Sequence, residues 1–136
     1  MRLRSIRGCW DKEEKTRAFS KRFGERLKDR KPSMIQAGVY SAVLHYLKAI
    51  SKLKSDADGK AVVAEMKAMP ADDPLFGKGR IRVDGRKLHR FYLYEVKSVA
   101  ESKCPWDYYR LLKEIPADEA FRQLSQGECY LVTAQK

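Results

Sequence analysis

Two histidines, three cysteines and a surplus of lysine and arginine are the side chains here with chemistry to offer. His45 and His89 stand in different segments, and neither has a second histidine or a cysteine at ligand spacing. A zinc site takes several such donors at short, regular intervals, so no metal is expected. The sequence has no HExxH helix, no GxSxG elbow and no P-loop. Gly77-Lys78-Gly79 lacks the further glycine and the following helix of a dinucleotide fingerprint. No pair of carboxylates has an evident acid–base role, and no catalytic Cys/His pair is indicated. The residues therefore predict no enzyme and no cofactor, with each histidine a surface group or a hydrogen-bonded structural one.

The cysteines, Cys9, Cys104 and Cys129, are odd in number, so at least one stays a thiol. A Cys104–Cys129 disulfide is open to the chain in an oxidising compartment only, and three unpaired thiols are the expected state. The first eight residues, Met1 to Gly8, carry the positive charge of a signal peptide but not its apolar stretch, because charged residues return at Asp11 to Lys15. No export signal is expected, which places the chain as written in the cytoplasm.

Lysine and arginine number 29 against 18 acids, a net charge of +11 over 136 residues. Residues 1–31 carry a net +7, and residues 78–90 hold six of the remaining bases against the single Asp84. Such a surplus raises the alternative of a small basic module for nucleic acid or another polyanion. However, Glu14, Lys21, Arg22, Glu25, Arg26 and Asp29 interleave both signs along one stretch, as a solvated helix face does. No known nucleic-acid-binding signature is present either, so no nucleic acid is expected as a partner.

The elements that must carry these groups are legible from periodicity. Phe19, Phe23 and Leu27 predict an amphipathic helix over roughly 12–29, stopped at Lys31-Pro32 and weakened by Gly24. Ser33 is a candidate N-cap. Ile35, Val39, Val43, Tyr46, Leu47 and Ile50 then trace a wide helical stripe over about 34–53. Ala37, Gly38, Ser41 and Ala42 keep another face small, which suits close approach of a sheet. Asp58 caps a third predicted helix, 59–69, with Val62, Val63, Met66 and Met69 inward. After a loop through Asp73-Pro74, Asp84-Gly85 predicts a β-hairpin of strands 79–83 and 87–97, both turn positions taking positive φ. Residues 110–115 read as a strand, 117–124 as a short helix and 129–132 as a last strand. With 43% apolar residues the chain can build a core, but three or so strands do not make a shielded sheet alone. The aromatic second strand needs covering on both faces.

Four segments, in order, resemble the carboxy-terminal part of bacterial ABC-transporter substrate-binding proteins of the branched-chain amino acid type. They are Trp10-Asp11 with Thr16 to Phe23; Pro32 to Val43 with Tyr46 to Ala49; Gly79 to Arg82 with Asp84-Gly85-Arg86, Tyr92-Leu93 and Val96-Lys97; and Glu101-Ser102-Lys103 with Pro105 to Tyr109, Ile115-Pro116 and Ala120-Phe121. The resemblance implies an α/β fold, a partial Rossmann-like lobe of a type 1 periplasmic binding protein made of helices, a β-hairpin and short tail strands. It covers residues 10–132, leaving 1–9 as an unmatched basic leader and 133–136 as a tail. It implies a fragment of a solute-binding protein that captures an amino acid or related small acid without catalysis. Its partners would be that ligand and a membrane permease, and its place the periplasm. Gln36 and Tyr40 would lie near the cleft, Gln36 offering its amide and Tyr40 an aromatic wall and a hydroxyl. Packing of the lobe is the competing role for Tyr40. Cys104 stands where that family suggests a small residue such as glycine. Apolar edges exposed by such a fragment imply marginal stability and self-association.

Overall fold

The structure, a computed structural model, describes residues 13–133. These form two compact units. One takes the described residues up to Pro32 together with Tyr92–Glu114, and the other takes Ser33–Phe91 together with Ile115 onward. The basic leader, Cys9 and Trp10-Asp11 lie outside the described residues.

In the first unit α1 (Glu14–Arg26) is shorter than its periodicity predicts. Lys28 and Asp29 turn left-handed, with φ of 49° and 58°, and end the helix before Pro32 is reached. Gly24 lies in the last turn of this helix. It is buried, its carbonyl accepts from the Asp29 N–H at 2.9 Å, and a Cβ there would lie 3.5 Å from Arg30 O and Asp29 Cα. Contact at that distance is ordinary, so the close approach there does not depend on glycine. Phe19 is buried, its ring 6.1 Å from that of Phe23. The paired strands β3 (Phe91–Val96) and β4 (Tyr109–Ile115) contribute the rest, with Arg110 bonded to Glu95 across them. The Lys97 ammonium meets Asp107 at 2.7 Å, and Asp107 also accepts from the Lys103 N–H at 3.0 Å.

The second unit begins with the cap that the sequence predicts. Ser33 accepts from the Ile35 N–H, and Gln36 accepts from the Ser33 N–H in return, a capping box that opens α2 (Met34–Leu53). Asp58 does the same for α3 (Gly59–Ala68), accepting from Lys60 and Ala61 N–H groups at 2.9 and 3.2 Å. The two helices pack together, but through the small face of α2. Ser41, His45 and Ala49 are buried there, while Ile35, Val39, Val43 and Leu47 point outward at 73%, 60%, 49% and 53% exposure. The wide stripe is thus the outer face. Small side chains permit the closer helix contact.

The hairpin is also shorter than expected. β1 (Gly79–Ile81) pairs antiparallel with β2 (Lys87–His89), Arg80 opposite Leu88. The predicted second strand divides at Arg90, and its aromatic half, β3, pairs with β4 instead. At the turn Gly85 alone has positive φ, 81°. Asp84 keeps negative φ because its carboxylate is occupied in tying the Arg82 guanidinium and the Arg86 N–H across the turn. The predicted helix 117–124 reduces to α4 (Ala117–Ala120), followed by a 3-10 turn at Leu124–Gln126. The predicted last strand is instead a helical turn, α5 (Tyr130–Thr133), whose Thr133 hydroxyl bonds back to the Tyr130 carbonyl. Cys104 is disulfide-bonded and Cys129 is free, so neither the 104–129 pair nor the all-thiol state holds.

Gly79 is the tightest point of this unit. Its carbonyl accepts from Ala71 N–H at 2.9 Å, and a Cβ added there would sit 2.8 Å from the Leu88 carbonyl and 3.2 Å from that of Ala71. Both obstacles are backbone. Gly79→Ala is expected to destabilise the unit by about 2 kcal/mol, the typical cost of overpacking, measured as a loss in the denaturation midpoint. Gly38→Ala, which meets open space, serves as the control without that loss.

Candidate ligand-binding site

Gln36 and Tyr40 lie one helical turn apart on α2 and so share a face. Gln36 is exposed and its amide oxygen is held by the Ser33 cap at 2.7 Å, which leaves the NH2 end to donate outward. Tyr40 is half-buried. The helix start is therefore rigid, and the amide is oriented by the same bond that caps the helix.

What holds this helix in place is a buried polar node that sequence reasoning missed. The Ser41 hydroxyl donates to Asp73 Oδ2 at 2.6 Å, and the Lys87 ammonium donates to Ser41 Oγ at 2.6 Å and to the same Asp73 oxygen. Ser41 is 2% exposed and the Asp73 side chain 4%. Asp73 Oδ1 also accepts from the Leu75 and Phe76 N–H groups at 2.7 and 2.8 Å, so its carboxylate is saturated. Two further bonds pin α2: the Lys48 ammonium to the Asp72 carbonyl at 2.9 Å, and His45 Nε2 to the Met66 carbonyl at 2.8 Å. The only sequence hint was a small polar residue, Ser41, on the small face of an apolar helix. Its partners are 32 and 46 residues away.

Burial pushes the Asp73 carboxyl up, yet the bonds from Lys87, Ser41, Phe76 N–H and Leu75 N–H outweigh it and hold the group below its ordinary value. His89 has the opposite need. Its ring lies among Phe76, Phe91 and Phe121, with centroids 4.6, 4.7 and 5.8 Å away, and Nδ1 donates to the Arg90 carbonyl at 2.8 Å. Burial is the chief cause that lowers its pKa, with the Lys87 charge adding to it. His45 and His89 are both structural, one on a carbonyl and one in an aromatic cage. Among the described residues no group of three or more metal-ligating side chains assembles.

Half of the bases in the turn region meet an acid. Arg80 meets Asp118 at 2.7 Å, Arg82 meets Asp84 at 2.6 Å, Lys87 meets Asp73, and Arg86 lies over the Phe121 ring at 5.9 Å. Four of the six bases that motivate a polyanion partner are thus committed within the molecule. Among the described residues no helix is long and apolar enough to cross a membrane.

The site so described is an α/β scaffold with polar groups, Gln36 and Tyr40, at the start of one helix. The family model for the periplasmic binding protein matches residues 8–103, and the chain belongs to that family. It is similar to the crystal structure of a periplasmic binding protein from Burkholderia mallei, at 40% identity and a TM-score of 0.83. It is also similar to a branched-chain amino acid ABC transporter periplasmic ligand-binding protein from Burkholderia xenovorans LB400, at 37% identity and a TM-score of 0.82. Each match covers 90% of this chain and 32% of the other, so the chain spans about a third of the length of these relatives. No curated protein matches. The partial-lobe α/β fold implied by the sequence resemblance is thus the fold observed.

Two acid steps follow from the groups above. A lowered histidine pKa means that the His89 contribution is complete above 6.5 and declines as pH falls through that value toward the folded-state pKa. The lowered Asp73 value means a contribution complete above 3.8 and lost as pH falls below it. The thermal midpoint followed from about pH 8 to about pH 3 should fall in both windows. His89→Phe should remove the upper step, and Asp73→Asn should shrink the lower one, which Asp84, Glu101 and Asp107 share.

Proposed function

We propose that residues 10–132 form the carboxy-terminal part of a solute-binding protein that captures an amino acid or a related small acid for an ABC importer, without catalysis. The family match and the 40% identity to a solved periplasmic binding protein carry this reading. In it, Gln36 donates its amide N–H to the ligand, and Tyr40 supplies a wall and a hydroxyl. The other partner is a membrane permease. The compartment is the periplasm, in keeping with the disulfide at Cys104, since disulfides persist under oxidising conditions. The outward stripe of Ile35, Val39, Val43 and Leu47 meets polypeptide equivalent to the remaining length of the relatives. Alone, the chain would bind ligand weakly and self-associate through that stripe.

A chimera tests the reading. The corresponding third of the Burkholderia mallei protein is replaced by this chain, and calorimetry is run with a panel of amino acids and aromatic acids. The folded chimera should bind a panel member that the parent binds. Gln36→Ala and Tyr40→Ala should each weaken binding by about tenfold, the loss of one oriented hydrogen bond. A folded chimera that binds none of the parent's ligands contradicts the function. Full binding in both variants contradicts the site.

A further inference from the structure

Along α1 the two signs of charge alternate in the sequence, but the helix separates them. At about 100° per residue, Lys15, Arg22 and Arg26 fall on one line within about 40° of arc. Glu14, Lys21 and Glu25 fall on a second line, about 100° round the helix. Lys21 and Glu25 face each other there at 3.9 Å. Glu13, before the helix, accepts from the Tyr92 hydroxyl at 3.0 Å. Lys15, Arg22 and Arg26 are all exposed, and among the described residues none of the three is held in an ion pair. Exposed bases continue past the helix end at Lys28 and Arg30. Helix stability does not account for this placement. A cation is favoured in the last turn, where Arg26 stands, and opposed in the first, where Lys15 stands. Arg80, Arg82 and Lys87 are spent on acids within the molecule, whereas this line faces solvent.

We propose that this line of α1 docks on the anionic headgroups of a phospholipid bilayer. Clusters of about four to eight bases on one helix hold such surfaces, and the set here is Lys15, Arg22, Arg26, Lys28 and Arg30. Leu27 favours lipid over nucleic acid. It is 46% exposed among the bases of the helix end. A headgroup boundary takes apolar side chains along with cations, and a phosphodiester backbone offers leucine no such contact. The disulfide at Cys104 points the same way, because disulfides persist in oxidising compartments, which are bounded by bilayers and hold no nucleic acid. The docking line does not involve Gln36 or Tyr40 and stands whether or not they bind a ligand.

Flotation of the 136-residue chain with lipid vesicles tests it, since floating vesicles separate bound chain from self-associated chain. Vesicles of phosphatidylglycerol and phosphatidylcholine should carry the chain at low salt and release it at high salt. Pure phosphatidylcholine should not carry it. Lys15→Gln, Arg22→Gln and Arg26→Gln together should weaken binding by about a hundredfold, at about fivefold per base. Lys54→Gln, Lys60→Gln and Lys78→Gln together remove the same net charge from exposed positions of the second unit and should weaken it by less than about tenfold. Lys15→Arg with Arg22→Lys and Arg26→Lys keeps the charge and should keep binding, while circular dichroism reports that the helices persist. Failure to float, equal binding to neutral vesicles, salt-independent binding or equal losses in the two glutamine variants overturns the proposal. Tighter binding to duplex DNA than to vesicles at equal phosphate concentration overturns it too and assigns the line to nucleic acid.

Discussion

The second unit depends on one buried charge pair and the hydroxyl between its elements. Lys87, Asp73 and Ser41 come from β2, from the loop before the hairpin and from α2, and they meet with almost no solvent on the carboxylate. Removing two charges from water costs several kcal/mol, and the cost is recovered only if every lone pair is satisfied. Here it is: both Asp73 oxygens are occupied, and the Lys87 ammonium also lies 5.0 Å from the Phe76 ring centroid. The arrangement is strict because the Asp73 side chain is only 4% exposed, so a lost partner leaves a buried oxygen unpaired. It therefore fixes the direction in which α2 presents Gln36 and Tyr40.

That strictness explains why the neighbouring backbone is so tight. Gly79 can approach Leu88 and Ala71 only without a Cβ, and the Gly79 N–H reaches the Asp72 carboxylate at 3.1 Å. Asp72 and Asp73 thus do different work side by side. One orders the strand that follows, while the other anchors helix and hairpin. The Phe76–His89–Phe91–Phe121 cluster then closes the space beside the node.

Local rules were legible in the sequence, and pairings between distant residues were not. The cap at Ser33, the span Met34–Leu53, the cap at Asp58 and the strand at Tyr109–Ile115 follow from capping chemistry and periodicity. The same periodicity located α2 without saying which of its faces packs. A wide apolar stripe reads as a core face, but here the small face is buried and the stripe is exposed. Exposed Val96 at 72% and Leu93 at 50% on β3 repeat the pattern, and both agree with the proposal that further polypeptide covers them. The Asp84-Gly85 pair located the turn but not its form, since the Asp84 carboxylate bonds to Arg82 and Arg86 rather than adopting positive φ. The split of the second strand at Arg90 and the helical Tyr130–Thr133 depend on partners that no local window contains. Gln36 and Tyr40 came from family resemblance alone. The node, built from residues 14 to 46 positions apart, had no local signature.

The most direct measurement of this account is a double-mutant cycle on the node, Asp73→Asn and Lys87→Met, read by denaturant unfolding at neutral pH. Each single variant strands a buried polar group, whereas the double variant removes both charges. The coupling energy should be about 1–3 kcal/mol, the double variant being less destabilised than the singles sum to. Additive losses, with no coupling, would contradict the claim that this pair holds α2 against the hairpin.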